Sequence, residues 1–150
     1  MMFNWFFAET ANEVGVSWFD FYSIGHICFG IGVFLFFSLF YTIPKNRGKT
    51  PLFSLLFVFI LTLIILILWE IIENLIFIEI GWKFENRVDS WQNISTDILM
   101  GIVGALSSCL ICNLIFIKGK SVWAYYIFGI IGFGLWLGVF IIFRGITLTS

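Results

Sequence analysis

The sequence predicts an all-α integral membrane protein, folded as a bundle of four transmembrane helices. Three observations predict it. Hydrophobic residues make up 61% of the 150 residues and charged residues 11%, against about 45–50% and about 25% in soluble domains. Four segments each hold the roughly 20 mostly apolar residues that a membrane helix needs. The apolar residues run on instead of alternating, so a β-barrel is excluded and helices are the remaining way to satisfy the backbone in lipid. The net charge of −1 comes with no large basic patch, which excludes a nucleic-acid partner. The partner that this composition implies is the lipid bilayer.

Residues 1–18 read as an interfacial or flexible N-terminal segment. They are too short and polar to span. Glu9 and Glu13 lie one turn apart, while Trp5, Phe6 and Phe7 are apolar, which suits a helix lying in the membrane surface. The segment lacks the basic start of a cleavable signal peptide. Residues 19–150 form the transmembrane domain. Its spans are expected at about 19–43, 51–80, 97–117 and 122–143, the third extending back toward Asp89. Connections are short, and neither a second domain nor an internal repeat is visible.

Charge sets the expected orientation. The connections "IPKNRGKT" and "KGK" carry five basic residues, Lys45, Arg47, Lys49, Lys118 and Lys120, against Lys83, Arg87 and Arg144 on the other side. The positive-inside rule puts the two basic connections in the cytoplasm and both termini outside. The membrane is the cytoplasmic (inner) membrane if the source is bacterial. Trp18, Trp82 and Trp91 fit an outer aromatic belt, Trp123 and Tyr125 an inner one.

Small residues read as packing devices. Cys109 and Cys112 form a C-x-x-C, but inside an apolar helix that spacing mostly means two small packing residues. On the fourth helix Gly134 and Gly138 predict close packing within the bundle, with a homodimer seam as the alternative. Asn93-Ile94-Ser95 has the form of a glycosylation acceptor, but it lies too near the membrane and on a polar stripe.

The polar residues are the informative part. Glu70 lies 19 residues beyond Pro51, Asp97 20 before Ile117, and His26 17 before Ile43. At about 1.5 Å per residue, all three reach the outer boundary of the hydrocarbon. Faces agree too. Glu70, Glu73 and Asn74 share one side of the second helix; Asp89, Asn93 and Asp97 follow at four-residue steps; Ser23, His26 and Gly30 share a face of the first. Ionisable residues at membrane depth usually face the bundle interior and mark function. A dry site cannot hold four charged carboxylates unrelieved. Protonation, a bound cation or outside water would each relieve it.

The expected metal ligands are His26, Glu70, Glu73 and Asp97, around a divalent ion that the sequence does not identify. Asp89 or Asn93 would position water as catalytic residues. Arg144 is the candidate substrate-binding residue, for an anionic group such as a lipid phosphate, against the alternative of a snorkelling helix-end anchor.

"GHICFG", "WEIIEN" and "DSWQNISTDILMGIVGA" together resemble the YjdF-like small bacterial inner-membrane proteins, and more loosely the VanZ-like group. The YjdF-like pattern has His-Phe-x-x-Gly on an early helix, Glu-x-x-Glu on a middle helix, and Asp-x-Trp-Asp-x-x-x-Asp leading into a Gly-containing helix. His26 and Gly30, Glu70 and Glu73, and Asp89, Trp91 and Asp97 match these in turn. Ile27 replaces the Phe, Asn93 stands where an Asp is expected with one extra residue before it, and that family's proteins are longer. The resemblance implies a shared site and specifies no reaction.

The leading functional expectation is a metal-dependent hydrolase or transferase acting on a lipid or lipid-linked substrate. Two alternatives stand beside it: a non-enzymatic proton- or ion-handling protein, and a structural or partner-binding subunit with the cluster as helix glue.

Overall fold

The computed structural model describes residues 5–149 of the chain. Four helices in it are long and apolar enough to cross a membrane: α1 (Phe21–Asn46), α2 (Leu55–Glu79), α3 (Trp91–Ile117) and α4 (Val122–Thr149). Among the described residues there is no strand, only one isolated bridge between Phe7 and Phe19. The protein is an all-α four-helix membrane bundle.

Caps fix where the helices start. Asp20 accepts hydrogen bonds from the Tyr22 and Ser23 amides, Ser54 from Phe57, and Ser90 from Asn93. Each satisfies a donor that the first turn leaves free. The spans therefore begin at Phe21 and Leu55 instead of the expected 19 and 51, and the third begins at Trp91, in line with its expected extension from 97 back toward Asp89. α1 continues past residue 43 to Asn46 with Pro44 inside its last turn, and α4 runs on to Thr149.

Helix α2 is irregular where its glutamates lie. Residues Ile72–Ile76 form a π-helical turn, in which the Phe77 amide donates to the Ile72 carbonyl five residues back. Such turns insert one residue into an α-helix and recur at functional sites.

Helix α1 is the central element. It packs on α3 most extensively, and also on α4 and α2, while α2 and α4 flank it with little contact between them. α1 and α3 approach backbone to backbone. A Cβ on Gly30 would collide with the Gly101 carbonyl oxygen, and one on Gly104 with that of Ile27. Only glycine allows this approach. At the far end, Phe34, Val58, Ala105 and Cys112 form the apolar core. Beside it Ser38 bonds the Tyr125 hydroxyl at 3.1 Å, and Thr42 bonds Tyr126 at 2.6 Å. Tyr125 is thus buried inside the bundle and is not part of an interfacial belt.

The glycines of α4 behave differently from the sequence expectation. Gly129 packs on Leu35, but Gly132, Gly134 and Gly138 have nothing within 4 Å of where a Cβ would stand. They face away from the rest of the chain, so Gly134 and Gly138 do not pack within the bundle.

The N-terminal segment forms no interfacial helix among its described residues, only a single 3₁₀ turn at Ala11–Glu13. It folds back on itself: the Ala8 amide donates to the Phe19 carbonyl (2.8 Å) and Phe19 to Phe6 (2.7 Å). It is also tied to the α2–α3 connection. Arg87 donates to the carbonyls of Asn12 and Val14, and the Ser90 amide to that of Gly15. These long-range bonds, which local periodicity does not register, take the place of helical ones.

Candidate functional site

The site lies where the start of α1, the π turn of α2 and the start of α3 meet. His26 is its centre. Its Nδ1 stands 3.3 Å from Glu70 Oε1, and its Nε2 stands 3.8 Å from both Glu73 Oε2 and Asp97 Oδ2. His26, Glu70 and Asp97 are buried, at 5%, 4% and 2% exposure. The structure thus brings together the four residues expected as ligands.

They are not equivalent. His26, Glu70 and Glu73 each offer one atom, all within 4.8 Å of one another, the grouping needed to share one ion. Asp97 stands outside that trio. Its Oδ1 accepts a short 2.5 Å hydrogen bond from Ser23, so this carboxylate is held on α1 beside the histidine.

The π turn is stitched in place by Asn74. Its side-chain amide donates to the Glu70 carbonyl (3.1 Å) and to Glu70 Oε2 (3.4 Å), and its Oδ1 accepts from the Asp89 amide (2.9 Å). One carboxylate oxygen of Glu70 is thereby fixed, while Oε1 is left toward His26. Glu70 Oε1 and His26 Nδ1 are the two buried side-chain atoms that lack a hydrogen-bond partner among the described residues.

Sequence reasoning missed Lys83. It looks like an ordinary loop lysine, yet it is only 8% exposed. Its ammonium donates to Glu73 Oε1 at 2.8 Å and to Asp89 Oδ2. Burial alone would lower its pKa, but the hydrogen bonds to Asp89 and Glu73 outweigh it and hold the ammonium above the ordinary 10.5. The turn that places it is unusual: Gly81 has φ +70°, and Glu85 and Asn86 are left-handed non-glycine residues at φ 55° and 46°. The Gly81 turn after the helix was the one available signal.

Asp20 was also missed. It caps α1, and its Oδ2 accepts from the Gly15 amide (2.8 Å) and from Asn93 Nδ2 (3.1 Å). Burial raises this carboxyl above the ordinary 3.8 despite those bonds. The Asp20-x-x-Ser23 spacing before an apolar run is the capping signal that could have revealed it.

Two expected water-positioning residues have other partners. Asp89 is the second carboxylate of Lys83. Asn93 donates to Asp20 and to the Ser17 carbonyl (3.2 Å), anchoring the N-terminal segment to α3. Buried at 1% exposure, it is no glycosylation acceptor. Arg144 is exposed and makes no ion pair among the described residues.

A cleft of about 270 Å³ leads to His26, Glu73 and Lys83. Aromatic rings wall it. Phe29, Trp69, Phe77 and Trp82 form one string at centroid spacings of 4.9, 5.7 and 5.8 Å. Tyr22 contacts Phe84 and Phe140 at 6.1 and 6.2 Å on the other side. A polar floor beneath apolar walls is the usual make-up of a small-molecule site.

Searches against protein-family models, curated proteins and solved structures give no match to this chain.

Proposed function

We propose that His26, Glu70 and Glu73 hold a divalent cation, and that the metal serves hydrolysis or group transfer on a lipid or lipid-linked substrate. One observation carries this reading. Two buried atoms, His26 Nδ1 and Glu70 Oε1, face each other at 3.3 Å with no hydrogen-bond partner. Buried polar atoms are rarely left so. Two ligands at about 2.0–2.1 Å from one tetrahedral zinc ion stand about 3.3 Å apart. A shared ion would satisfy both atoms and offset part of the carboxylate charge. It would polarise a substrate oxygen or lower the pKa of a bound water.

In this reading Asp97 orients His26, and Lys83 keeps Glu73 and Asp89 in place. The basic connections after α1 and α3 lie in the cytoplasm by the positive-inside rule, so the site faces outward. Kinship with the YjdF-like group is part of the proposal, supported by the motifs that supply His26, Glu70, Glu73 and Asp97.

Metal analysis of purified protein tests it. About one zinc or cobalt ion per chain is expected after loading and desalting, with loss in Glu70→Gln and in His26→Ala. Absence of a stoichiometric ion would overturn the metal reading, and a lowered thermal stability of both variants would then identify the cluster as helix glue.

A further inference from the structure

Helix α1 presents one continuous stripe toward the gap between α2 and α4. Tyr22, His26 and Phe29 line the aromatic cleft, and Phe29, Val33 and Phe36 line a second, almost wholly apolar groove of about 330 Å³. These positions step by three and four residues, so they share a face, and at 1.5 Å per residue the stripe runs about 21 Å. Phe29 belongs to both openings. Ile65 of α2 and Phe133 of α4 flank the groove, and those two helices do not close over it. A polar end thus continues into an apolar channel open to the bilayer, which is the profile of a membrane lipid.

We propose that cleft and groove form one binding site for a lipid with an ammonium-bearing headgroup, its chain in the groove and its headgroup over His26 and Glu73. The inference rests on the reading of the His26 cluster as the chemical end of the site, and it names the substrate class. Charge decides the headgroup. Glu70, Glu73, Asp89 and Asp97 gather there, while Lys83 is already held by two of them. Four carboxyl groups against one lysine leave hydrogen-bond acceptors in excess of cations at this end. The walls are aromatic, with Trp69, Phe77 and Trp82 and with Tyr22, Phe84 and Phe140, and the faces of such rings attract cations. An ammonium headgroup would find carboxyl oxygens of Glu73 as acceptors at the floor of the cleft. The cleft's volume lies near the low end of small-molecule sites, about 300 Å³, which suits a headgroup. Arg144, exposed one turn beyond Phe140, is positioned to meet the headgroup phosphate at the rim.

The test is native mass spectrometry of detergent-purified protein with lysophosphatidylcholine and lysophosphatidylglycerol of equal chain length, with zinc loading measured on the same samples. One phosphocholine lipid per chain is expected, favoured about fivefold over the phosphoglycerol lipid. Gly32→Leu fills the groove; a Cβ there meets an ordinary 3.5 Å contact with Phe133, and an unfolding midpoint and zinc loading equal to the parent's check that the fold is kept. It should lower binding of both lipids about tenfold, while Gly138→Leu, on the open face of α4, should not. Trp82→Leu, at an exposed position, should remove the headgroup preference and retain zinc. Equal or stronger binding of the phosphoglycerol lipid overturns the headgroup assignment. Indifference to Gly32→Leu overturns the groove. Ammonium preference without zinc binding overturns the metal reading alone, and zinc binding without lipid preference overturns this one alone.

Discussion

The Lys83 ammonium stands 2.8 Å from Glu73 Oε1 and also donates to Asp89, so one loop lysine is the counter-ion of two carboxylates. Glu73 is thereby divided. One oxygen belongs to the lysine, and the other lies 3.8 Å from His26. A divalent ion at His26 and Glu70 would share Glu73 with Lys83, not displace it. Part of the acidic charge at this end is balanced from within the chain.

Removing that lysine should be costly. Lys83→Met leaves Glu73 and Asp89 facing each other with no cation, and breaking a buried ion pair on one side costs about 3–5 kcal/mol. Thermal unfolding in detergent should show a clear drop, partly restored in Lys83→Met with Asp89→Asn. Zinc should raise the midpoint of Lys83→Met more than that of the unaltered chain, because the ion then offsets carboxylate charge that the lysine had balanced. A Lys83→Met protein as stable as the parent would show the bridge to be a solvated surface pair.

The same bridge sets an alkaline limit. The folded chain holds the Lys83 proton above the ordinary 10.5, so folding binds it more tightly than the unfolded chain does. Its contribution is complete below pH 10.5 and is lost as the pH rises through the folded value. Unfolding midpoints measured from about pH 8 to pH 12 should fall at the alkaline end, and Lys83→Met should flatten that fall.

Helix approach is the next exposed point. A Cβ on Gly104 would strike the Ile27 carbonyl oxygen and lie 3.1 Å from the Ile31 nitrogen, both backbone atoms that a rotamer change cannot clear. Gly104→Ala must therefore push α1 from α3 next to His26. A loss of about 1–3 kcal/mol is expected, with weaker zinc binding. Gly138→Ala, which meets open space, should change neither. Equal midpoints for the two variants would refute the close approach.

The helices and the grouping of His26, Glu70 and Glu73 were legible because helical rise and periodicity are local properties. A count of residues from each basic connection brings His26, Glu70 and Asp97 to one depth, and steps of three and four residues bring Glu73 and Asn74 to the side of Glu70. The π turn was not legible. "WEIIEN" reads as regular helix, and the turn is held by Asn74 bonding to Glu70 and to Asp89, fifteen residues on. Lys83 was not legible for a related reason. Its place depends on a backbone path through left-handed residues that no apolar pattern records. Asn93 sat on the expected stripe, but its partner Asp20 lies on another element.

That last pair gives a sharp test of the motif resemblance. The YjdF-like pattern implies an aspartate where this chain has Asn93. Here the Asn93 amide donates to Asp20 Oδ2 at 3.1 Å and to the Ser17 carbonyl at 3.2 Å. Asn93→Asp replaces a donor with a carboxylate, facing a second carboxylate and a carbonyl in a buried setting. Losing a buried hydrogen bond and leaving its partners unsatisfied costs about 1–3 kcal/mol, and the like charge adds to it. The unfolding midpoint should fall, and amide exchange should rise over residues 13–19, where the segment loses its tie to α3. Asn93→Asp should recover at low pH, where the two carboxyls can share a proton, whereas Asn93→Ala should not. An Asn93→Asp protein as stable at neutral pH as the parent would show that this position tolerates the motif's acid, and that the Asp20 contact is not what holds the N-terminal segment.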